Sequence, residues 1–347
     1  MSSIKLLLTL LLSVALLIYA FHGIDLSTFW TSLTAVDAGV VAILLVLPLL
    51  SIVLRGWRWQ ILLGSLKPLS FQTAFSYSSI GFMANNILPA HAGELVKALL
   101  LARRHDMPVL AVLATVVVER VLDALTLTLL LGGLLTLMPL PAMLRSAGVG
   151  IGTFGVVIIA LVILLSRDNS PVRDGLRRLI RRLPQRARAA VLPRFDTFLL
   201  GLGALRGGRR VAGMALLSVL VWGVLIWNAY AAMAGFPFAG PLPDHLWLAS
   251  AVVILTVSFA VALPAAPGFV GVTQAAFWVA LQLFDVRQSD AIGASVLYNL
   301  TQYVAVTGLG IAFLFREGLG MRHLVAASHT EPPAPRGGAA EAGPTDT

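Results

Sequence analysis

Long apolar runs joined by short polar connections dominate this chain. Residues 4–21, 38–54, 108–137, 148–166, 211–234 and 291–315 each predict a membrane-crossing helix, since about 20 apolar residues cover the hydrocarbon core. Two further apolar stretches are interrupted. In the first, about 71–102, the run from Gly81 to Leu101 reads GFMANNILPAHAGELVKALLL. Asn85, Asn86, Pro89 and Gly93 break it, and Glu94 and Lys97 follow. The second, 247–284, breaks at Leu263-Pro-Ala-Ala-Pro-Gly268, with Gly271 close behind. The first stretch is too short for two crossings and a break, so it predicts a re-entrant hairpin. Broken backbone at membrane depth survives only where protein or water surrounds it.

Charge orients these elements. Lys and Arg gather after the second span, after the first broken stretch, in 167–210 and at Arg316 and Arg322, which places those ends in the cytoplasm. The second span is read as ending at an interfacial Arg55-Gly-Trp-Arg58-Trp59. The connections 22–37 and 235–246 carry no Lys or Arg and face outside, as does 138–147, with Pro139, Pro141 and Arg145. The stretch 247–284 must then start and end outside, as a second hairpin. Residues 1–137 read span, span, hairpin from inside, span; 148–315 repeat that order inverted. The two breaks share L-P-A-x-x-G, at 88 and 263. The expected fold is an all-α polytopic membrane protein, with about six transmembrane helices plus two re-entrant helical hairpins in an inverted-topology repeat. Paired interruptions in corresponding halves are the best sequence pointer to a transporter's binding site. Residues 1–315 form one membrane domain, and 316–347 a disordered cytoplasmic tail. The first span is read as retained, because no small-x-small cleavage site follows its Leu-rich part.

Composition agrees: 58% hydrophobic and 12% charged, against about 25% charged in soluble domains. The absence of cysteine excludes disulfides, thiolate catalysis and Cys-based metal sites. The net charge of +9 resides in 167–210, where 12 arginines meet 3 aspartates. Such a loop reads as cytoplasmic and lipid-facing rather than as a nucleic-acid site. Val172, Leu176, Leu179, Ile180 and Leu183 recur at helical intervals among its arginines. That suits a helix on an anionic membrane surface, a merely solvated loop being the alternative.

The candidate chemistry clusters at the breaks. Pro89 and Gly93, and Pro267, Gly268 and Gly271, can bend the chain and start half-helices, whose free N–H groups favour an anion. Glu94 either caps such a start, neutralised by Lys97, or forms a polar wall for a headgroup. Glu119, Arg120 and Asp123 lie inside a span, where charges must be paired or hydrated. They are expected to pair with Lys97, Arg55 or Arg58 around a polar cavity; a structural ion cluster is the alternative. Arg55, Arg58, Lys97 and Arg120 outnumber Glu94, Glu119 and Asp123, and that surplus suits a phosphate. His91 can titrate near neutrality. Asn85, Asn86 and Gln274 either bind a headgroup or satisfy broken backbone. No catalytic triad order, metal-ligand spacing, Walker loop or dinucleotide fingerprint is present. No cofactor and no metal are therefore expected.

Four stretches resemble the lysylphosphatidylglycerol synthase transmembrane-region family, also called the flippase-like domain family. They are Arg55-Gly-Trp-Arg58-Trp59-Gln-Ile-Leu-Leu, Asn86-Ile-Leu-Pro89-Ala-His-Ala-Gly93-Glu94, Glu119-Arg120-Val-Leu-Asp123 and Pro267-Gly268-Phe-Val-Gly271-Val-Thr-Gln274. The resemblance covers about 5–315. It implies an integral membrane protein that handles lipids. The best-understood members join this region to a soluble aminoacyltransferase domain and move aminoacylated phosphatidylglycerol between leaflets; that domain is absent from this chain. Relatives also accompany hopanoid and polyprenyl-glycolipid pathways. An Arg is common in the family where His91 stands, and a Glu where Gln274 stands.

The expectation is a bacterial inner-membrane lipid translocase, both termini cytoplasmic, working without ATP on a phosphate-bearing headgroup. The alternatives are a membrane-embedded lipid-modifying transferase and a non-catalytic subunit of a lipid-synthesis complex. Expected partners are membrane lipids and, through the Arg-rich loop, an anionic membrane surface, with no nucleic acid; homo-oligomerisation stays open.

Overall fold

The computed structural model describes residues 33–88, 92–138, 142–168, 170–236, 242–262 and 266–320, with Ile18, Trp30 and Thr31. All of the first predicted span but Ile18, residues 89–91 and 263–265 at the tips of the two breaks, and most of the tail lie outside the described residues. Every regular element among the described residues is helical. In chain order these are α1 (Ala38–Leu63), α2 (Phe71–Ile87), α3 (Gly93–Arg104), α4 (Val109–Leu137), α5 (Ala142–Ser166), α6 (Pro171–Arg181) and α7 (Gln185–Gly201). After a 3-10 turn, Leu202–Arg206, come α8 (Gly208–Ala234), α9 (Leu242–Val261), a second turn (Pro267–Phe269), α10 (Val272–Leu281), a third (Gln282–Phe284) and α11 (Gln288–Arg316).

Among the described residues, four stretches are long and apolar enough to cross a membrane: α1, α8, Pro267–Phe284 and α11. Gly155–Ser166 and α6 would make a fifth only if the two, bent 82° from each other, formed one span. Their outward faces carry exposed apolar side chains at helical spacing: Ile43, Val46 and Leu50 on α1, Leu216, Val219 and Leu220 on α8, and Leu300, Val304 and Ile311 on α11. In water such stripes would be a liability. Against acyl chains they are the expected outer surface.

α1 runs past the predicted end of the second span to Leu63, and Arg58, Trp59, Leu62 and Leu63 are buried against other helices. The positive-inside pattern reads basic residues flanking a span as headgroup-facing. It takes no account of carboxylates brought from another helix.

The first broken stretch folds back on itself. Gly81 sits against Lys97 and Gly93, the Tyr77 ring lies 6.1 Å from His105, and Gly93 N–H donates to Asn85 Oδ1 at 2.9 Å. Contacts that advance on α3 as they retreat on α2 define an antiparallel pair. A Cβ on Gly93 would overlap the Gly81 carbonyl and Asn85, so only glycine lets the backbones approach this closely. Asn85 supplies the acceptor that the interrupted backbone lacks.

α2 also runs antiparallel to α11. Ser76 Oγ donates to Glu317 Oε1 at 2.7 Å, Gly310 faces Ser79 and Met83, and Asn86 Nδ2 donates to Thr307 Oγ1 at 3.1 Å. In the second half α9 packs on α10, and the turn Pro267–Phe269 lies against both α2 and α11.

Gly93→Ala is expected to lower the thermal unfolding midpoint of the detergent-solubilised protein by several degrees, since overpacking costs about 1–3 kcal/mol. Gly132→Ala, with nothing within 4 Å of the added methyl group, should leave the midpoint unchanged or raised. Equal midpoints for the two variants would contradict the close α2–α3 approach.

Candidate functional site: a buried ion cluster beside two helix breaks

α1, α3 and α4 contribute the charges of one connected cluster. On α1, Arg55 and Arg58 are neighbours at i, i+3. On α3, Glu94 and Lys97 have the same spacing, and on α4 Glu119 and Asp123 are one turn apart. Folding the three helices together makes every charge answer another. Lys97 Nζ is 2.6 Å from Glu119 Oε2 and 3.1 Å from Glu94 Oε2. Arg58 Nη1 donates to Asp123 Oδ1 at 2.7 Å and to Ser218 Oγ of α8 at 2.9 Å. Arg55 Nη1 and Arg120 Nη2 each reach Asp123 Oδ2 at 3.3 Å. Arg120 Nη2 also lies 3.2 Å from Glu94 Oε1.

The cluster is graded in depth. The side chains of Arg58, Lys97 and Glu119 are 0–2% exposed. Glu94 is 19% exposed and Arg120 46%. The inner end is a structural lock, where a lone charge would be prohibitive. The outer end is accessible.

Aromatic rings close the sides. Lys97 Nζ stands 4.7 Å from the Trp59 ring centroid and 5.9 Å from that of Phe82, and the Arg55 guanidinium is 5.3 Å from Phe82. Ring faces attract cations, more so when both are desolvated. Trp59 Nε1 is fixed by Thr115 Oγ1 at 3.0 Å.

Two groups are incompletely satisfied. Arg58 Nε and Nη2 have no hydrogen-bond acceptor, although Nη2 is 3.8 Å from Glu119 Oε1. Glu94 Oε2 is near Lys97 but badly aligned for a hydrogen bond. With Arg55, Arg58, Lys97 and Arg120 against Glu94, Glu119 and Asp123, one positive charge is left over.

The remaining sequence candidates lie around the breaks. Pro89 and His91 fall outside the described residues. Gly93 starts α3 against Gly81, and Asn86 is held by Thr307. At the second break Gly268 and Gly271 adopt φ of 73° and 86°, values glycine tolerates. Phe269 is forced to 56° between them. Gln274 is buried, and its Oε1 accepts from Gly271 N–H at 2.7 Å, capping α10. Its amide oxygen thus serves the backbone. Asn299 Nδ2 of α11 donates to the Gly268 carbonyl at 3.0 Å, and the Tyr303 ring lies beside Gly268.

Asn299, Tyr303 and Thr307 are therefore the shelf on which both breaks rest. The hydrogen bonds to Gly268 and Asn86 are two turns apart, about 12 Å along α11, with Tyr303 between them. Sequence reasoning missed these three, and also Trp59, Phe82, Thr115 and Ser218. A signal existed for the first set: polar residues at i, i+4, i+8 inside an apolar helix mark one face.

A family model for the lysylphosphatidylglycerol synthase TM region matches residues 6–310, and the chain belongs to that family. No curated protein and no solved structure matches it. The family and the apolar helices together make this a multi-pass membrane protein with a lipid-related function.

Lys97→Met strands Glu119 without its 2.6 Å partner and is expected to destabilise the fold by roughly 3–5 kcal/mol. Glu119→Leu should do the same by stranding Lys97. The double variant should recover much of the loss, seen as a melting midpoint closer to wild type than either single variant. Simple additivity of the two losses would mean that the pair is not coupled.

Proposed function

We propose that this chain moves a phospholipid or aminoacyl-phospholipid between leaflets without ATP, its headgroup passing along the ion cluster while its acyl chains stay in lipid. The observation that carries this reading is the accessible cationic end of the cluster: a surplus positive charge and a half-exposed Arg120 beside Glu94. Guanidinium groups bind phosphate through paired charge-assisted hydrogen bonds. An aminoacyl headgroup would add an ammonium, for which the misaligned Glu94 Oε2 is a ready acceptor.

Architecture supports the same reading. The two broken segments meet on one stretch of α11. In this proposal the pairs α2–α3 and α9–α10 are re-entrant hairpins of two inverted repeats, entering from opposite faces. Alternating access is then a rocking of the repeats around the cluster. The setting is a bacterial inner membrane, with both chain ends in the cytoplasm.

The exposed end of the cluster gives the cleanest test, because its variants least disturb the buried lock. Purified protein in liposomes is expected to carry fluorescent phosphatidylglycerol and lysyl-phosphatidylglycerol to the quencher-accessible leaflet. Arg120→Gln should slow both at least tenfold, the loss of one charge-assisted contact being worth about 1.5–3 kcal/mol. Glu94→Gln should slow the lysyl lipid more than the plain one. Melting midpoints near wild type would assign the loss to transport rather than to folding. Wild-type protein that is folded yet moves neither lipid would sink the proposal. Headgroup modification confined to one leaflet would favour the transferase instead.

A further inference from the structure

A second charged feature lies away from the cluster, where α5 ends and α8 begins. A groove of about 660 Å³ is lined at one end by Arg167, Asp168 and Arg206 and at the other by Ile163, Leu205 and Val211. Those three apolar residues also line a narrower slot of about 240 Å³, which continues to Val121, Leu125 and Ile159 between α4 and α5. A partly charged groove and a smaller apolar slot therefore share one wall.

The charged end is built. Arg206 Nε donates to the Ser166 carbonyl at 2.7 Å, and its Nη1 to Asp168 Oδ2 at 3.0 Å. Arg173 takes the other Asp168 oxygen at 3.0 Å. Arg167 has no acidic partner among the described residues. Two arginines thus share one carboxylate while Arg167 adds an unpaired cation to the groove lining, leaving a surplus of two positive charges before Arg209 and Arg210, exposed in the first turn of α8, are counted.

Depth follows from the bend. α6 turns 82° from Gly155–Ser166 of α5. When α5 follows the membrane normal, α6 lies nearly in the membrane plane, and the arginines at the bend sit at headgroup level. α6 suits that position. Val172 and Leu176 pack inward, and Leu179 of the same stripe is exposed beside Arg178 and Arg181.

We infer that this groove binds an anionic glycerophospholipid, with the phosphate at Arg167 and Arg206 and one acyl chain in the slot toward Val121 and Ile159. Basic pockets between membrane helices at the cytoplasmic surface recognise such headgroups. The site is distinct from the translocation cluster. On α4 the slot uses Val118, Val121, Leu122 and Leu125, a stripe at i, i+3, i+4, i+7 on the face away from Glu119 and Asp123. Binding here anchors α4 and α5 to the lipid whether or not the chain moves lipid.

The test is lipid retention by the delipidated full-length protein in detergent, read by native mass spectrometry and thermal shift with dioleoyl-phosphatidylglycerol and dioleoyl-phosphatidylcholine. Wild-type protein is expected to retain phosphatidylglycerol preferentially and to be stabilised by it. R167E should weaken that lipid roughly tenfold while leaving phosphatidylcholine unaffected. A215W, which fills the groove beside Val211, should weaken both. Glycerophosphoglycerol or inorganic phosphate at the same concentration should not displace the lipid. Wild-type affinity in both variants would overturn the inference. So would equal binding of the two lipids by wild-type protein, or competition by the soluble phosphates, which would leave only an anion site. Because binding is measured rather than movement, failure here and failure of the translocation proposal are told apart.

Discussion

The arrangement of α1, α3 and α4 follows from the cost of an unpaired charge away from water. Seven ionised side chains within an apolar bundle are tolerable only if each faces an opposite charge at hydrogen-bonding range. That condition fixes three helices against one another. Arg58 must reach Asp123, Lys97 must reach Glu119, and no independent sliding of α3 past α4 keeps both contacts. In a lipid environment, where burying apolar area between helices gains little, such polar ties and close backbone approaches carry the specificity of packing.

The other half of that specificity comes from small residues. Gly81 and Gly93 bring α2 onto α3, and Gly310 brings α11 onto α2. The ion lock and the glycine contacts act on the same hairpin from two sides. α3 is clamped to α4 through Lys97 and to α2 through Gly93. The free ends of the interrupted backbone are then satisfied locally, by Asn85 at the first break and by Gln274 and Asn299 at the second. Among the described residues, the Gly93 and Gly271 N–H groups and the Gly268 carbonyl at the breaks each have a side-chain neighbour.

Much of this was legible in the chain. The apolar runs located the helices, the interruptions located the breaks, and isolated charges within apolar surroundings identified the members of the cluster. The exception is instructive. Arg55 and Arg58 sit among tryptophans at the end of an apolar run, and so match the pattern of an interface. Pairing with the α4 charges was expected on charge grounds, but that both arginines converge on Asp123, 68 and 65 residues away, is something no local pattern specifies. The shelf on α11 was hidden for a related reason. The spacing of Asn299, Tyr303 and Thr307 marks one face of α11, but which segments that face receives is settled only by Gly268 and Asn86 from other parts of the chain. Helix periodicity is local information, whereas partner choice is not.

Asp123 receives three arginines, whereas Glu119 and Lys97 answer each other closely. The two kinds of bonding leave different marks on how the molecule can change over generations. A position that serves three partners has no single compensating substitution, so its carboxylate is frozen. A two-member pair can be exchanged as a unit, for two apolar residues or for a reversed pair, provided both changes arrive together. Because Lys97 also meets Glu94 and Glu119 lies 3.8 Å from Arg58, a concerted change at 97 and 119 is the exchange that disturbs the cluster least, and residue 123 is the point that admits none.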